Sequence, residues 1–230
     1  MLTLEMTLAQ RKMKIDEMSR KAGRGNCLAG GYVRDYFMGK ETKDADIFTS
    51  MPTDMTPEGF LNKAAAILRR FGKEPDIEGF REINAAYGDR NDFVVVKSID
   101  KEDTYGPIDI IFNPNYRSSQ RSNFVSTQFD LPPSMFYMDT IHTPQRTAEG
   151  RHWLITQKIV LPDDPHWYDK HLDGLKDRLD RLWVKYPRTI VSFPSEALGW
   201  DRMMPYYQQL LQGGLIGEGD IREVLPQEAL

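Results

Sequence analysis

The chain has 230 residues, a formal net charge of −4, 28% charged residues and 40% hydrophobic residues. That composition gives an ordinary soluble globular protein with room for a real core, and it excludes a disordered chain and a strongly basic, nonspecific nucleic-acid binder. Cys27 is the single cysteine, so an internal disulfide and a cysteine zinc site are excluded; no apolar run is long enough to span a bilayer, no signal-peptide core opens the chain, and a cytoplasmic location is expected.

From Leu4 to Lys21, Leu4, Leu8, Ile15 and Met18 recur among charged residues at near-helical spacing, which predicts an amphipathic opening helix ending near Gly23 and Gly25. Cys27, as a small core residue, and the apolar residues after it suit a buried strand, which the pair Gly30-Gly31 breaks. Tyr32, Val33, Tyr36 and Phe37 then predict a short helix, with Gly39 at its C-terminal end. Asp44-Ala45-Asp46 stands at the head of a second strand, Ile47-Phe48-Thr49. Residues two apart on a strand point the same way, so Asp44 and Asp46 are expected to project together. Paired carboxylates are costly unless a cation neutralises them, and magnesium takes hard oxygen ligands while keeping positions open for phosphates. Upstream, two glycines at a helix N-terminus let backbone N–H groups approach an anion.

GGYVRD followed by KDADIFTS resembles the signature of the tRNA nucleotidyltransferase and poly(A) polymerase branch of the DNA polymerase β-like superfamily: Gly-Gly, any residue, Val-Arg-Asp, a short helix, then Asp-x-Asp-hydrophobic-x-Thr. The resemblance implies an α+β nucleotidyltransferase head, a small mixed sheet with helices on one side, over about Leu4 to Asp139. It also implies two magnesium ions about 3.5–4 Å apart, with manganese as a substitute, held by Asp44 and Asp46. Gly30 and Gly31 would hold phosphate oxygens. Arg34 would either neutralise charge or pair with Asp35 to brace the helix.

Further along, Met51 to Pro57 is a loop punctuated by prolines, and Gly59 to Phe71 is an amphipathic helix. Asp92 to Ile99 and Ile108 to Phe112 are strand-like runs separated by the turn-rich Lys101 to Pro107, and they predict a hairpin. Asp109 sits among apolar neighbours in the second of these. A salt-bridged acid at a strand margin is the plain alternative; the resemblance makes Asp109 the third metal-binding and catalytic carboxylate. Phe124 to Asp139 resembles the family's second motif, Arg-Arg-Asp-Phe-Thr-Ile-Asn-Ala, with Asp130 on the aspartate as a nucleotide-binding candidate. Gln128 and Phe129 stand in place of the two arginines, and Pro132-Pro133-Ser134 in place of Thr-Ile-Asn. A proline-started helix packing Met135, Phe136 and Met138 under the sheet reads equally well.

Trp153 to Val160 is expected as a last strand. Trp167 to Tyr186, with leucines at 172, 175, 179 and 182, is the clearest helix, its polar face mixing Lys170, Lys176, Arg178, Arg181, Lys185 and Arg188 with aspartates. That face is either simply solvated or an RNA-facing stripe. The four histidines form no cluster with metal-ligand spacing. Gly213-Gly214 and Gly217-Glu218-Gly219 read as a loose loop. The expected division is a head over 1–161 and a helical appendage over 162–230, too short for the neck, body and tail of a complete CCA-adding enzyme. Short stand-alone heads of the family are frequently phage-encoded, and the resemblance extends to such a source. The implied activity is transfer of a nucleoside monophosphate from a nucleoside triphosphate to an acceptor hydroxyl, an RNA 3′ end or, as in some relatives, a protein hydroxyl. The reading from another class is an inactive head that binds nucleotide or RNA.

Overall fold

The computed structural model describes residues 7–42, 44–80, 93–99, 105–193 and 200–216, with the backbone alone at 170, 173 and 200–202. Leu4, Asp92, the 101–104 part of the turn, the side chain of Lys170 and Gly217-Glu218-Gly219 lie outside the described residues. The chain divides into two compact units, 1–129 with 133–151, and 130–132 with 152–230. The boundary expected at 161 falls inside the second.

In the first unit, helix α1 (Leu8–Ala22) starts at Thr7, whose side chain accepts from the Gln10 N–H while the Gln10 side chain accepts from the Thr7 N–H. This reciprocal cap sets the start that periodicity placed near Leu4. Ile15 and Met18 are buried as expected, but Leu8, in the first turn, is 63% exposed. Strand β1 (Cys27–Ala29), helix α2 (Gly31–Met38) and strand β2 (Ala45–Ser50) follow. Gly39 ends α2 in the left-handed conformation, φ 66°, which a residue with a Cβ adopts only at a cost. Thr56 caps helix α3 (Pro57–Leu68), which runs into a tight turn over Arg69–Phe71. The predicted hairpin is present as β3 (Val94–Lys97) antiparallel to β4 (Ile108–Asn113).

The next region departs from expectation. Helix α4 (Arg121–Gln128) precedes the two prolines, and Met135 to Met138 is no helix. Phe136–Met138 is strand β5, and Pro144–Arg146 is strand β6, so Phe136 and Met138 lie in the sheet and not beneath it. The sheet has the order β3-β4-β2-β1-β5-β6, with β2 and β4 parallel and the other pairs antiparallel. Alternation along β2 and β4 gives each face its own set. Phe112 packs on Phe60 of α3, and Phe136 on Phe37 of α2, so these helices cover one face. Phe48 on the opposite face meets Phe124 of α4 and Phe129 just after it. Buried Arg121 ties the layers together, donating to the carbonyls of Arg24 (2.6 Å), Asn26 (2.6 Å), Met138 (3.0 Å) and Asp139 (2.5 Å). One guanidinium thus closes the approach to β1 and the exit of β5.

Helix α5 (Ala148–Thr156) replaces most of the strand expected from Trp153; only Lys158–Val160 is extended, as β7, after Gln157 at φ 57°. In the second unit, β7 pairs in parallel with β8 (Ile190–Ser192). Helix α6 (Pro165–Lys185) begins at the Asp164 cap and buries Leu175, Leu179 and Leu182, and helix α7 (Trp200–Gln212) adds Met203, Tyr207 and Leu210 to the core. Among the described residues no helix is long and apolar enough to cross a membrane.

Candidate active site

The glycine pair works by two different means. Gly30, the residue before α2, has φ 80° and ψ −143°, a region open in practice to glycine alone. A Cβ there would also come within 3.3 Å of an Asp46 carboxylate oxygen and 3.6 Å of the Phe129 ring. The Gly30 N–H donates to the Phe136 carbonyl at 2.8 Å, so it serves the sheet and not an anion, contrary to its expected role. The amides of Gly31, Tyr32 and Val33 are the ones a helix start leaves without an intrahelical acceptor. Over them lies Arg34, whose guanidinium would stand 3.2 Å from a Cβ on Gly31. Arg34 Nε donates to buried Asp35 at 2.9 Å and Nη1 reaches the Pro133 carbonyl at 3.4 Å. The pairing of Arg34 with Asp35, one of its two expected roles, is present and sets the guanidinium near Gly31 at the start of the helix.

The acidic residues are gathered by strand register. Asp46 of β2 is directly beside Asp109 of β4, and parallel neighbours in register present their side chains to the same face. Ala29 is opposite Asp46 on the other side, which leaves room above β1, and Lys97 of β3 is opposite Asp109. Burial pushes the Asp46 carboxyl up to about 7, with the charges of Asp109 and Asp44 adding and Lys97 opposing. Asp109 is raised in turn by burial, opposed by Lys97 and reinforced by Asp44. Asp44 stands one residue before β2, which begins at Ala45, and is exposed. Its charge still acts on both partners. Among the described residues no three His, Cys, Asp or Glu side chains converge closely enough to hold a metal ion. The chemistry of the donor set nevertheless fits a hard divalent cation, because two adjacent, partly buried carboxylates, both raised by burial and by a nearby acidic charge, are the groups such an ion relieves.

Asp130 is held by its own set of partners. It belongs to the second unit, where its carboxylate meets Arg178 at 2.9 Å and His171 at 3.7 Å. The substituted residues before it have local duties as well: Gln128 accepts from the Asn115 side chain at 3.1 Å, and Phe129 packs on Phe48 and Phe124. Cys27 is buried with its thiol pushed up to about 12, which makes it a core residue and no nucleophile. Lys97 and Tyr137, the latter opposite Ala29, are in the same cross-strand row and were not singled out from sequence. Their signal exists only once the strand register is known.

Residues 26–88 match the profile of the Poly A polymerase head domain. Among solved structures, the complex of a CCA-adding enzyme with ATP is similar at a TM-score of 0.56 and 12% identity, over 94% of this chain and 48% of that one. A tRNA-processing enzyme in an apo form gives 0.51 and 14%, over 93% and 50%. A tRNA nucleotidyltransferase complexed with a primer tRNA and an incoming ATP analogue gives 0.50 and 12%, over 91% and 54%. The chain thus spans about half the length of these proteins. No curated protein sequence matches it. The Gly-Gly turn and the Asp46 strand lie inside the segment that matches the Poly A polymerase head profile, and the chain shares the fold of the nucleotidyltransferase head of the CCA-adding enzymes.

Proposed function

We propose that the protein transfers a nucleoside monophosphate from a nucleoside triphosphate to an acceptor hydroxyl, an RNA 3′ end, releasing pyrophosphate. The observation that carries this reading is the in-register pair Asp46 and Asp109 beside the Gly30 turn. Asp46 and Asp109, joined by Asp44, would hold the divalent cation, magnesium by preference and manganese as a substitute. When bound, the cation supplies charge neutralisation at the triphosphate and a lowered pKa of the acceptor hydroxyl. The amides at the start of α2 and the Arg34 guanidinium receive phosphate oxygens and keep the triphosphate on the β1 side of Asp46. Asp109, one strand further out, faces the acceptor. There a carboxylate oxygen not engaged by the cation would accept the hydroxyl proton as the hydroxyl oxygen attacks the α-phosphorus and pyrophosphate departs.

An inactive nucleotide-binding head is the second reading, favoured by the engagement of Asp130 with Arg178 and by an apolar Phe129 where the family has an arginine. Incubation with radiolabelled triphosphates, magnesium, total RNA and total cell protein separates the outcomes. Label on RNA that is lost in Asp44→Ala supports transfer to RNA. Label on protein moves the acceptor to a polypeptide hydroxyl. Tight nucleotide binding with no label on either supports the inactive head.

A further inference from the structure

The carboxylate row continues one strand beyond Asp109 to Lys97, on β3 at the edge of the sheet. Lys97 is exposed, and among the described residues it makes no ion pair, although Asp109 is its direct cross-strand partner. Across an antiparallel pair, opposed side chains leave the same face about 4.5–5.5 Å apart. The face therefore reads, in spatial order, cation, carboxylate, carboxylate, alanine: Lys97, Asp109, Asp46, Ala29. On the Ala29 side begins α2, with its amides and Arg34. A triphosphate held there approaches the carboxylates from β1, so the attacking group has to come from β3, because attack and departure at the α-phosphorus are in line.

We propose that Lys97 binds the backbone phosphate next to the attacking hydroxyl, and so selects an acceptor that carries phosphodiesters, a single-stranded RNA end. This rests on the reading of the site as a nucleotidyltransferase. The carboxylates repel such a strand where the cation does not screen them, and the Lys97 ammonium at the outer end of the row offsets that repulsion where the strand enters. An exposed lysine suits this task, since a phosphate is recognised as a point charge and needs no planar fork. Arg34, at the opposite end of the row, is fixed by Asp35 and faces the triphosphate.

The test is anisotropy titration of a short fluorescein-labelled RNA oligonucleotide with the full chain in magnesium, over a range of salt, together with KM values for the oligonucleotide and for the triphosphate. In Lys97→Met the RNA affinity should fall about three- to tenfold, and the slope of log K against log salt should shrink by about 0.7, one single-strand phosphate contact. KM for RNA should rise by a similar factor while KM for the triphosphate and the thermal midpoint hold, and Lys97→Arg should recover most of the loss. Unchanged RNA affinity and slope in Lys97→Met, with the wild type still labelling RNA, overturns the proposal and leaves the transferase reading intact. A lowered thermal midpoint without a change in slope also overturns it, because Lys97 would then only neutralise Asp109. A wild type that transfers label to protein alone, or binds no RNA, overturns the assignment of the acceptor.

Discussion

Two neighbouring rows on one face of the sheet have been put to opposite uses. Val95, Ile111, Phe48 and Cys27 form a cross-strand row that α4 roofs with Phe124 and Phe129. One pleat away, Lys97, Asp109, Asp46 and Ala29 form the next row, and Phe129, just after α4, lies beside Gly30. Apolar side chains under a helix exclude water and hold the strands in register. That register sets two carboxylates side by side where the roof ends. Asp46 borders both rows, half-buried by one and charged by the other, and its raised carboxyl pKa records the conflict.

The comparison can be broken first at the charged row. Asp46→Asn or Asp109→Asn is expected to lower nucleotidyl transfer on the order of 10³-fold with circular dichroism unchanged, since each removes a charge aimed at the reacting phosphate. An intact rate in either variant would remove that carboxylate from the site. In the apolar row the expected effect is on stability: Phe48→Ala should cost about 3–5 kcal/mol in urea unfolding. A cost below about 1 kcal/mol would mean that α4 does not depend on this contact. At the seam, Gly30→Ala should cost about 1–3 kcal/mol from its backbone region alone, and more if Asp46 has to move.

The smallest effect concerns pH. Without a cation, burial pushes the folded Asp46 carboxyl up to about 7, from an ordinary value of 3.8. Between those values the folded state binds the extra proton, so stability is full below about pH 4 and falls as pH rises towards 7. Asp46→Asn escapes that loss. It should match the wild type in acid and exceed it at pH 8 by on the order of 1–2 kcal/mol, after allowance for the partial hydration of the group. Equal thermal midpoints at pH 8 in chelator would show that Asp46 is not strained by its neighbours.

The charged row was legible where its signals are local. Gly30-Gly31, Arg34-Asp35, Gly39 and the Asp46 strand follow one another within a single strand-helix-strand unit, and each residue type has a steric or electrostatic reason for its place. Asp109 stood out as an acid in an apolar strand. The roof was not legible. Helix α4 has only Phe124 and Val125 buried among its apolar positions, too few for a periodic signal. Strand β5 is three residues long and follows two prolines, so its sequence resembles a helix start, and its pairing with Ala29, far upstream, and with β6 makes it a strand. The apolar run at Trp153 suits either element, and burial of Trp153 in α5 decided it. Lys97 was hidden for the same reason as β5: its meaning depends on register across a hairpin.

Nucleotide binding with and without a divalent cation tests the carboxylate row most directly. ATP and CTP would be titrated calorimetrically into the wild type and Asp46→Asn, once in magnesium and once in chelator. Magnesium should raise the wild-type affinity for at least one of them about tenfold or more, and Asp46→Asn should lose most of that gain while keeping its fold. Equal affinity in magnesium and chelator would contradict a cation-dependent site at Asp46 and Asp109.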